Sequence, residues 1–410
     1  MNIDLSEPLR RALAGFDPKA AKFATEAVDQ ILGAARTNGA SDIHLQPEPH
    51  GLDIRWRIDG VLHPAATLPI SLAPNIIARL KVLADLLTYR NDAPQEGRIR
   101  SAPGEVEMRV STFPTLHGEK AVIRLFAETG RYRRVTDLGL PAEIASALTK
   151  LLSETAGMIL LTGPAGGGKT TTIYACLREL VAESSGRRSL TSLEDPIEVA
   201  VTGVAQSQVN PSAGFDLAIG LRSLMRQDPE VIAVGEIRDR ATAEGAFGAS
   251  LTGHLVLSTF HAGSAAGAVG RLSDMGIEPY VLRSGLLAVV GQRLVRKLCV
   301  ECSREITHPD EFLGLRVRHA RTAVGCSQCG GTGYRGRMLL AEILIPGNTE
   351  VGRVILDRTD VARVEEAAVS AGMVTRWDRA RQAVEAGATS PAEVRRVLGF
   401  SEGADTHPPQ

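Results

Sequence analysis

The stretch MILLTGPAGGGKTTT, residues 158–172, limits what this chain can fold into more than any other part of it. An apolar run from Met158 to Leu161 predicts a strand. It is followed by Gly163-x4-Gly168-Lys169-Thr170, and then by residues 171–180, which suit a helix. The loop between them, Gly163, Pro164, Ala165, Gly166, Gly167 and Gly168, carries no bulky side chain. A backbone that turns its N–H groups inward around phosphate oxygens leaves no room for one. The helix start that follows adds its positive dipole end. Lys169 supplies a point charge for β- and γ-phosphates, the Thr170 hydroxyl suits magnesium, and Thr171 completes the cradle. From about residue 139 strands alternate with helices, which implies an α/β domain with a parallel sheet.

Other strand ends in this region carry chemistry. VIAVGEIRD runs Val231 to Val234 and then delivers Glu236. A carboxylate at the end of a neighbouring buried strand belongs near the metal of a phosphate-loop domain. Gly235 stands where an Asp would make the usual acidic pair, so one carboxylate must act on magnesium, through its water, or on the attacking water. SLEDPIE offers Glu194 as a second group to orient water. An acidic turn is the plain alternative, because Asp-Pro favours turns. In LTGHLVLSTFHAGSA, Leu255 to Leu257 is apolar and is flanked by His254 and His261. A strand-end histidine can sense a γ-phosphate, and a structural role is the alternative, above all for His254.

The N-terminal part has a different rhythm. Phe23, Ala27, Val28, Ile31, Leu32 and Ala35 fall at helical spacing, ending at Asn38-Gly39. In LDIRWRIDGVL apolar and charged residues alternate up to Asp59-Gly60, a hairpin signal. A helix follows with Ile76, Ile77, Leu80, Leu83, Leu86 and Leu87, then two alternating strands, EVEMRVS and AVIRLF. These spacings predict an α+β domain over residues 24–127, after a short segment, 1–23. Residues 128–138, polar and basic, read as a linker. The α/β domain then takes 139–400, and the polar tail 401–410 is expected to be disordered.

The chain has five cysteines, and four form matched pairs, Cys299-x2-Cys302 and Cys326-x2-Cys329. Two knuckles of this spacing suit a tetrahedral four-thiolate zinc site, in a lobe over 295–337. With every position filled by sulfur, such a site is structural rather than catalytic. Four reduced buried cysteines are the bland alternative, and Cys176 reads as plain core. This thiol usage fits a reducing compartment better than a disulfide scaffold. Net charge is -1 and aromatics are 4%. That argues against a nucleic-acid partner. No apolar run is long enough to span a membrane.

Taken in order, ASDIH (40–44), RIDGVLH (57–63), RVSTFPTLHGEKAVIRLF (109–126), GPAGGGKTTT, SLEDPIE, GLRSLMRQDPEVIAVGEIRD, LTGHLVLSTFHAGSA and the two CxxC pairs resemble the secretion ATPases. These are the type II secretion and type IV pilus assembly motors of the GspE and PilB kind. The resemblance covers about residues 24–400. It implies a RecA-like ATPase domain with a zinc-binding insertion, behind a smaller PAS-like α+β domain. It makes Glu194 a catalytic carboxylate and Glu236 the essential Walker B residue, and it makes Gly235 normal. His261 is implied near the γ-phosphate with His254 in support. Arg98, Arg109 and Arg124 are implied to reach the phosphates, as arginine fingers do, and Arg337 to approach the nucleotide. For each arginine a solvated position is the alternative. The implied cofactors are ATP, Mg2+ and Zn2+. The implied assembly is a homo-hexamer at the cytoplasmic face of the inner membrane, working on secretion or pilus platform proteins.

The sequence departs from that family at several points. Ala165 and Gly167 stand where Thr and Ser are usual. After His261 the chain reads Ala262-Gly263-Ser264 rather than Thr-Asn-Asp. The family's extra N-terminal docking module is not recognisable. The rival readings are a pilus retraction motor, disfavoured by the cysteine pairs, a nucleic-acid motor, disfavoured by the charge, and an ATP-binding scaffold without turnover, disfavoured by the intact Lys169, Glu194, Glu236 and His261.

Overall fold

Asp59 and Gly60 take positive φ angles of 48° and 83°. That is the backbone a two-residue hairpin needs to match strand twist. The hairpin they close lies in a computed structural model that describes residues 7–17, 20, 22–99, 108–125, 132–347, 349–358 and 360–400. The tail 401–410, residues 128–131 of the linker, most of the first strand pattern's start at 105–107, and parts of segment 1–23 lie outside the described residues.

The chain divides into two compact units. The first takes residues 1–128 together with 298–304 and 323–336. It begins with helices α1 (Glu7–Ala14) and α2 (Phe23–Thr37). The six apolar residues read at helical spacing are the buried face of α2. Strands β1 (Asp42–Glu48), β2 (Gly51–Ile58) and β3 (Val61–Leu68) follow, then helix α3 (Ala73–Leu83), then β4 (Gln95–Ile99), β5 (Met108–Thr115) and β6 (Gly118–Leu125). The sheet order is β3-β2-β1-β6-β5-β4, antiparallel throughout. Helix α3 stops short of the expected Leu87. Asp85 takes φ 57° just past its end, a left-handed residue that a continuing helix excludes. Leu86 still packs against the core, while Leu87 faces out.

The second unit takes 129–297, 305–322 and 337–410. Residues 135–138, within the expected linker, form a 3-10 turn with Val135 buried, and its N–H donates to Glu179 at 2.6 Å. In chain order come α4 (Ala142–Leu152), β7 (Gly157–Thr162), α5 (Lys169–Ser184), β8 (Leu190–Glu194), β9 (Ala205–Gln208), α6 (Leu217–Leu224), β10 (Val231–Val234), α7 (Arg240–Leu251), β11 (Leu255–Phe260), α8 (Ala265–Asp274), α9 (Pro279–Gly285) and β12 (Leu286–Leu298). Short strands β13 (Arg304–Glu305) and β14 (Arg321–Thr322) precede β15 (Tyr334–Leu344), and helices α10 (Glu350–Leu356), α11 (Val361–Ser370), α12 (Arg376–Glu385) and α13 (Pro391–Leu398) close the chain.

The sheet order is β15-β12-β7-β11-β10-β8-β9, with parallel pairing from β12 through to β9. Both faces are covered. Met158 and Leu160 enter one core with Phe247, Val269 and Leu282, while Ile159 and Leu161 enter another with Leu148, Leu177 and Val290. Two-sided burial explains why Met158–Leu161 of β7 and Val231–Val234 of β10 read as continuous apolar runs. It also sets the carboxyl ends of β7, β11, β10 and β8 side by side, the edge where open parallel sheets bind ligands.

Chain order alone places the cysteine lobe with the α/β domain. By contacts, segments 298–304 and 323–336, which carry the four cysteines, group with the first unit. A specific bond accompanies this: the Gly336 N–H donates to Asp59 Oδ2 at 2.8 Å.

Candidate nucleotide site and cysteine cluster

The phosphate loop leaves β7 at Thr162 and enters α5 at Lys169. Gly163, Gly166 and Gly168 all have positive φ, so this path requires glycine. Gly163 is also pressed by its surroundings, since a Cβ there would come within 2.4 Å of the Gln292 carbonyl. Lys169 is buried, and its Nζ donates to the carbonyls of Gly163 and Pro164 at 2.8 Å each. Burial pushes its pKa down to about 8, with Arg293 adding to the effect and Glu236 opposing it. Thr170 and Thr171 lie on the first turn of α5, and Thr170 is half-buried.

At the end of β10, Glu236 sits between an imidazole and a guanidinium. His261 Nε2 is 3.2 Å from its Oε1, and Arg238 Nη2 is 3.3 Å from its Oε2. Arg238 also reaches Asp195 at 3.3 Å through Nη1. One polar chain thus joins the ends of β11, β10 and β8. The strand ends are fixed by Gly235, whose N–H donates to the Leu193 carbonyl and whose carbonyl accepts from Thr259 Oγ1, at 2.8 Å each.

Glu194 is buried at the end of β8 and is fully engaged. Its carboxylate accepts from Tyr174 at 2.5 Å, Ser192 at 2.6 Å and Gln206 at 2.9 Å. Burial and the hydrogen bond to Glu194 push the Tyr174 hydroxyl upward, so it stays a donor.

His254 does not join this group. It precedes β11, whereas His261 follows it, and a strand of that length separates them by roughly 20 Å. Its Nδ1 lies 3.0 Å from the Ala249 carbonyl. The support expected from His254 is therefore corrected to a contact with the end of α7, at the amino end of β11.

In the first unit, Arg98 pairs across strands with Arg109, Arg109 with Arg124, and Arg124 with Asp42. The three arginines therefore share one row. Arg124 Nε donates to Asp42 at 3.0 Å, and Arg109 contacts Glu96. Arg337 lies on β15 in the second unit.

Sequence reasoning missed Tyr174, Gln206 and Arg238. Arg238 follows Glu236 by two positions in GEIRD, a local signal. Tyr174 and Gln206 gave none, because they come from distant segments.

The cysteine pairs converge. Cys299, Cys302, Cys326 and Cys329 place their Sγ atoms within 4.8 Å of one another. The separations Cys299–Cys326, Cys302–Cys329 and Cys326–Cys329 are each 3.8 Å. A tetrahedron with Zn–S of about 2.3 Å has edges of about 3.8 Å, so the donor set fits zinc. The N–H groups of Cys326 and Gly333 donate to Cys329 Sγ at 3.2 and 3.1 Å, and that of Gly325 to Cys302 Sγ at 3.3 Å. Such donors favour thiolate over thiol. Cys176 is buried in the core as expected.

A phosphate loop on a doubly covered parallel sheet, with acidic and imidazole groups at adjacent strand ends, defines a RecA-like P-loop domain. The chain belongs to the family described as "Type II/IV secretion system protein", which matches residues 18–396. It is 43% identical to the type II secretion system ATPase E of Vibrio cholerae over 326 residues, 78% of this chain and 64% of that protein. It is 38% identical to the type IV pilus assembly ATPase PilB of Thermus thermophilus over 358 residues, 85% of this chain but 40% of that protein. Its fold resembles the ATPase DotB of Legionella pneumophila, with a TM-score of 0.66 and 22% identity over 90% of this chain and 94% of that one. Among the described residues, no helix is long and apolar enough to cross a membrane.

Proposed function

We propose that this chain hydrolyses ATP and powers assembly of a type II secretion pseudopilus or a type IV pilus. The observation that carries this reading is the placement of Glu236 and His261, 3.2 Å apart, at the strand ends beside the Lys169 loop. The loop N–H groups take the β- and γ-phosphates, and Lys169 exchanges its carbonyl partners for phosphate oxygens. Thr170 would hold a magnesium ion, whose charge when bound offsets that of the phosphates. Glu236, braced by His261 and Arg238, orients the attacking water together with Glu194. Water adds to the γ-phosphorus, the bond to the bridging oxygen breaks, and a carboxylate accepts the released proton. The arginine row Arg98, Arg109 and Arg124, with Arg337, is the proposed source of guanidinium groups for the developing charge.

The four cysteines would hold zinc, which supplies structure to a lobe with little core of its own. By analogy with its relatives, the working form is a homo-hexamer at the cytoplasmic face of the inner membrane, acting on secretion or pilus platform proteins. The test is steady-state phosphate release: Lys169→Ala and Glu236→Ala each abolish most turnover, and wild-type turnover in either refutes the assignment.

A further inference from the structure

The backbone of residues 261–265 is held from several sides within the second unit. The His261 carbonyl accepts from Arg271. The Ala262 N–H donates to Thr162 Oγ1 at 3.0 Å, and the Gly263 carbonyl accepts from Arg293 Nη2 at 2.7 Å. The Ala265 N–H donates to Glu342 Oε1 at 2.8 Å. Glu342 is itself buried and pinned by the Arg376 N–H at 2.8 Å.

Arg293 differs from the other holders in what its second prong does. Its Nη1 donates to the Gln292 carbonyl at 3.0 Å. That carbonyl packs on Gly163, the first residue of the phosphate loop, and the same Nη1 would lie 3.1 Å from any Cβ placed there. One guanidinium therefore lies beside Gly163 at the entry of the phosphate loop, through the Gln292 carbonyl, and donates to the loop that carries His261. Its hydrogen-bond acceptors there are backbone carbonyls, so it fixes main-chain position rather than neutralising an acid. The Gly263 carbonyl and the β12 carbonyl of Gln292 that packs on Gly163, held by one rigid two-pronged donor, keep their spacing when side chains nearby exchange partners.

We propose that Arg293 is a positioning residue for ATP turnover, tying the phosphate loop to the His261 loop and so fixing where the imidazole meets Glu236. This rests on the ATP-hydrolysing reading above. It predicts that Arg293 acts through His261 and not on the nucleotide.

The experiment is a double-mutant cycle on the full chain, using Arg293→Gln, His261→Ala and their combination, with Lys169→Ala as reference. Turnover, KM, and affinity for a fluorescent ATP analogue are measured, with melting curves to confirm folding. Arg293→Gln lowers kcat about 10-fold or more while KM and analogue affinity stay within about 3-fold. In the His261→Ala background it adds no more than about 2-fold. Arg293→Lys, which keeps the charge but not the fork, stays close to Arg293→Gln and serves the same cycle if Arg293→Gln melts early. Multiplicative losses in the double variant, affinity falling as in Lys169→Ala, wild-type kcat in Arg293→Gln or His261→Ala, or full rescue by lysine would each overturn the proposal. Wild-type turnover by Lys169→Ala would instead sink the ATPase reading, and the positioning role with it.

Discussion

Arg109 stands directly opposite Arg124 across β5 and β6. Like charges facing each other across a ladder destabilise a sheet by a few tenths of a kcal/mol up to about 1. Asp42 and Glu96 offset part of this from either side. A row that costs stability in the resting protein is explained if it meets an anion during function. Arg109→Gln is therefore expected to leave the melting temperature unchanged or slightly raised, while phosphate release falls about 10-fold or more. Normal turnover in a folded Arg109→Gln protein would remove the arginine row from the mechanism.

Lys169 gives a pH prediction. With a pKa lowered to about 8 by burial, the free protein holds a partly neutral lysine at mildly alkaline pH. Bound phosphates favour the ammonium and raise that pKa, so ATP binding takes up protons near pH 8 to 9. Apparent affinity then weakens as pH rises through about 8. Calorimetric titration in buffers of different ionisation enthalpy reads this directly, and the uptake should vanish in Lys169→Ala. A binding heat independent of buffer at pH 8.5 would contradict the lysine's assigned state.

Tyr174→Phe removes one of three donors from the buried Glu194 carboxylate. A hydrogen bond to a charged group contributes about 1.5–3 kcal/mol, so the variant should melt earlier. If Glu194 helps orient water, kcat should fall while nucleotide affinity holds. Unchanged kcat in a destabilised variant would reduce Glu194 to a structural acid.

The sulfur geometry predicts about one zinc per chain in freshly purified protein. Exhaustive chelation should lower the melting temperature, and returning zinc should restore it. Metal analysis finding clearly less than half an equivalent, with stability indifferent to chelators, would leave four reduced thiols.

Local pattern made much of this legible. The buried face of α2, the Asp59-Gly60 turn, the phosphate loop and the ends of β10 follow from spacing over a few residues. Helical spacing continues through Leu86, although Asp85 already turns the chain just past the end of α3. His254 and His261 looked equivalent in sequence, and only the direction of β11 separates them. Tyr174 on α5 and Gln206 on β9 meet Glu194 only through tertiary packing, and the alignment of Arg98 with Arg109 and Arg124 likewise depends on which strands are neighbours. Pairing register is a non-local property, and one sequence carries little direct record of it.

The first unit is gathered from three separate stretches, 1–128, 298–304 and 323–336. Cutting the gene after codon 128 would therefore yield a fragment lacking the Gly336 partner of Asp59 and all four sulfurs. Chimaeras built by swapping front halves between relatives would splice two lineages through the middle of one body. Graft points that respect this body must exchange the two later segments together with the front.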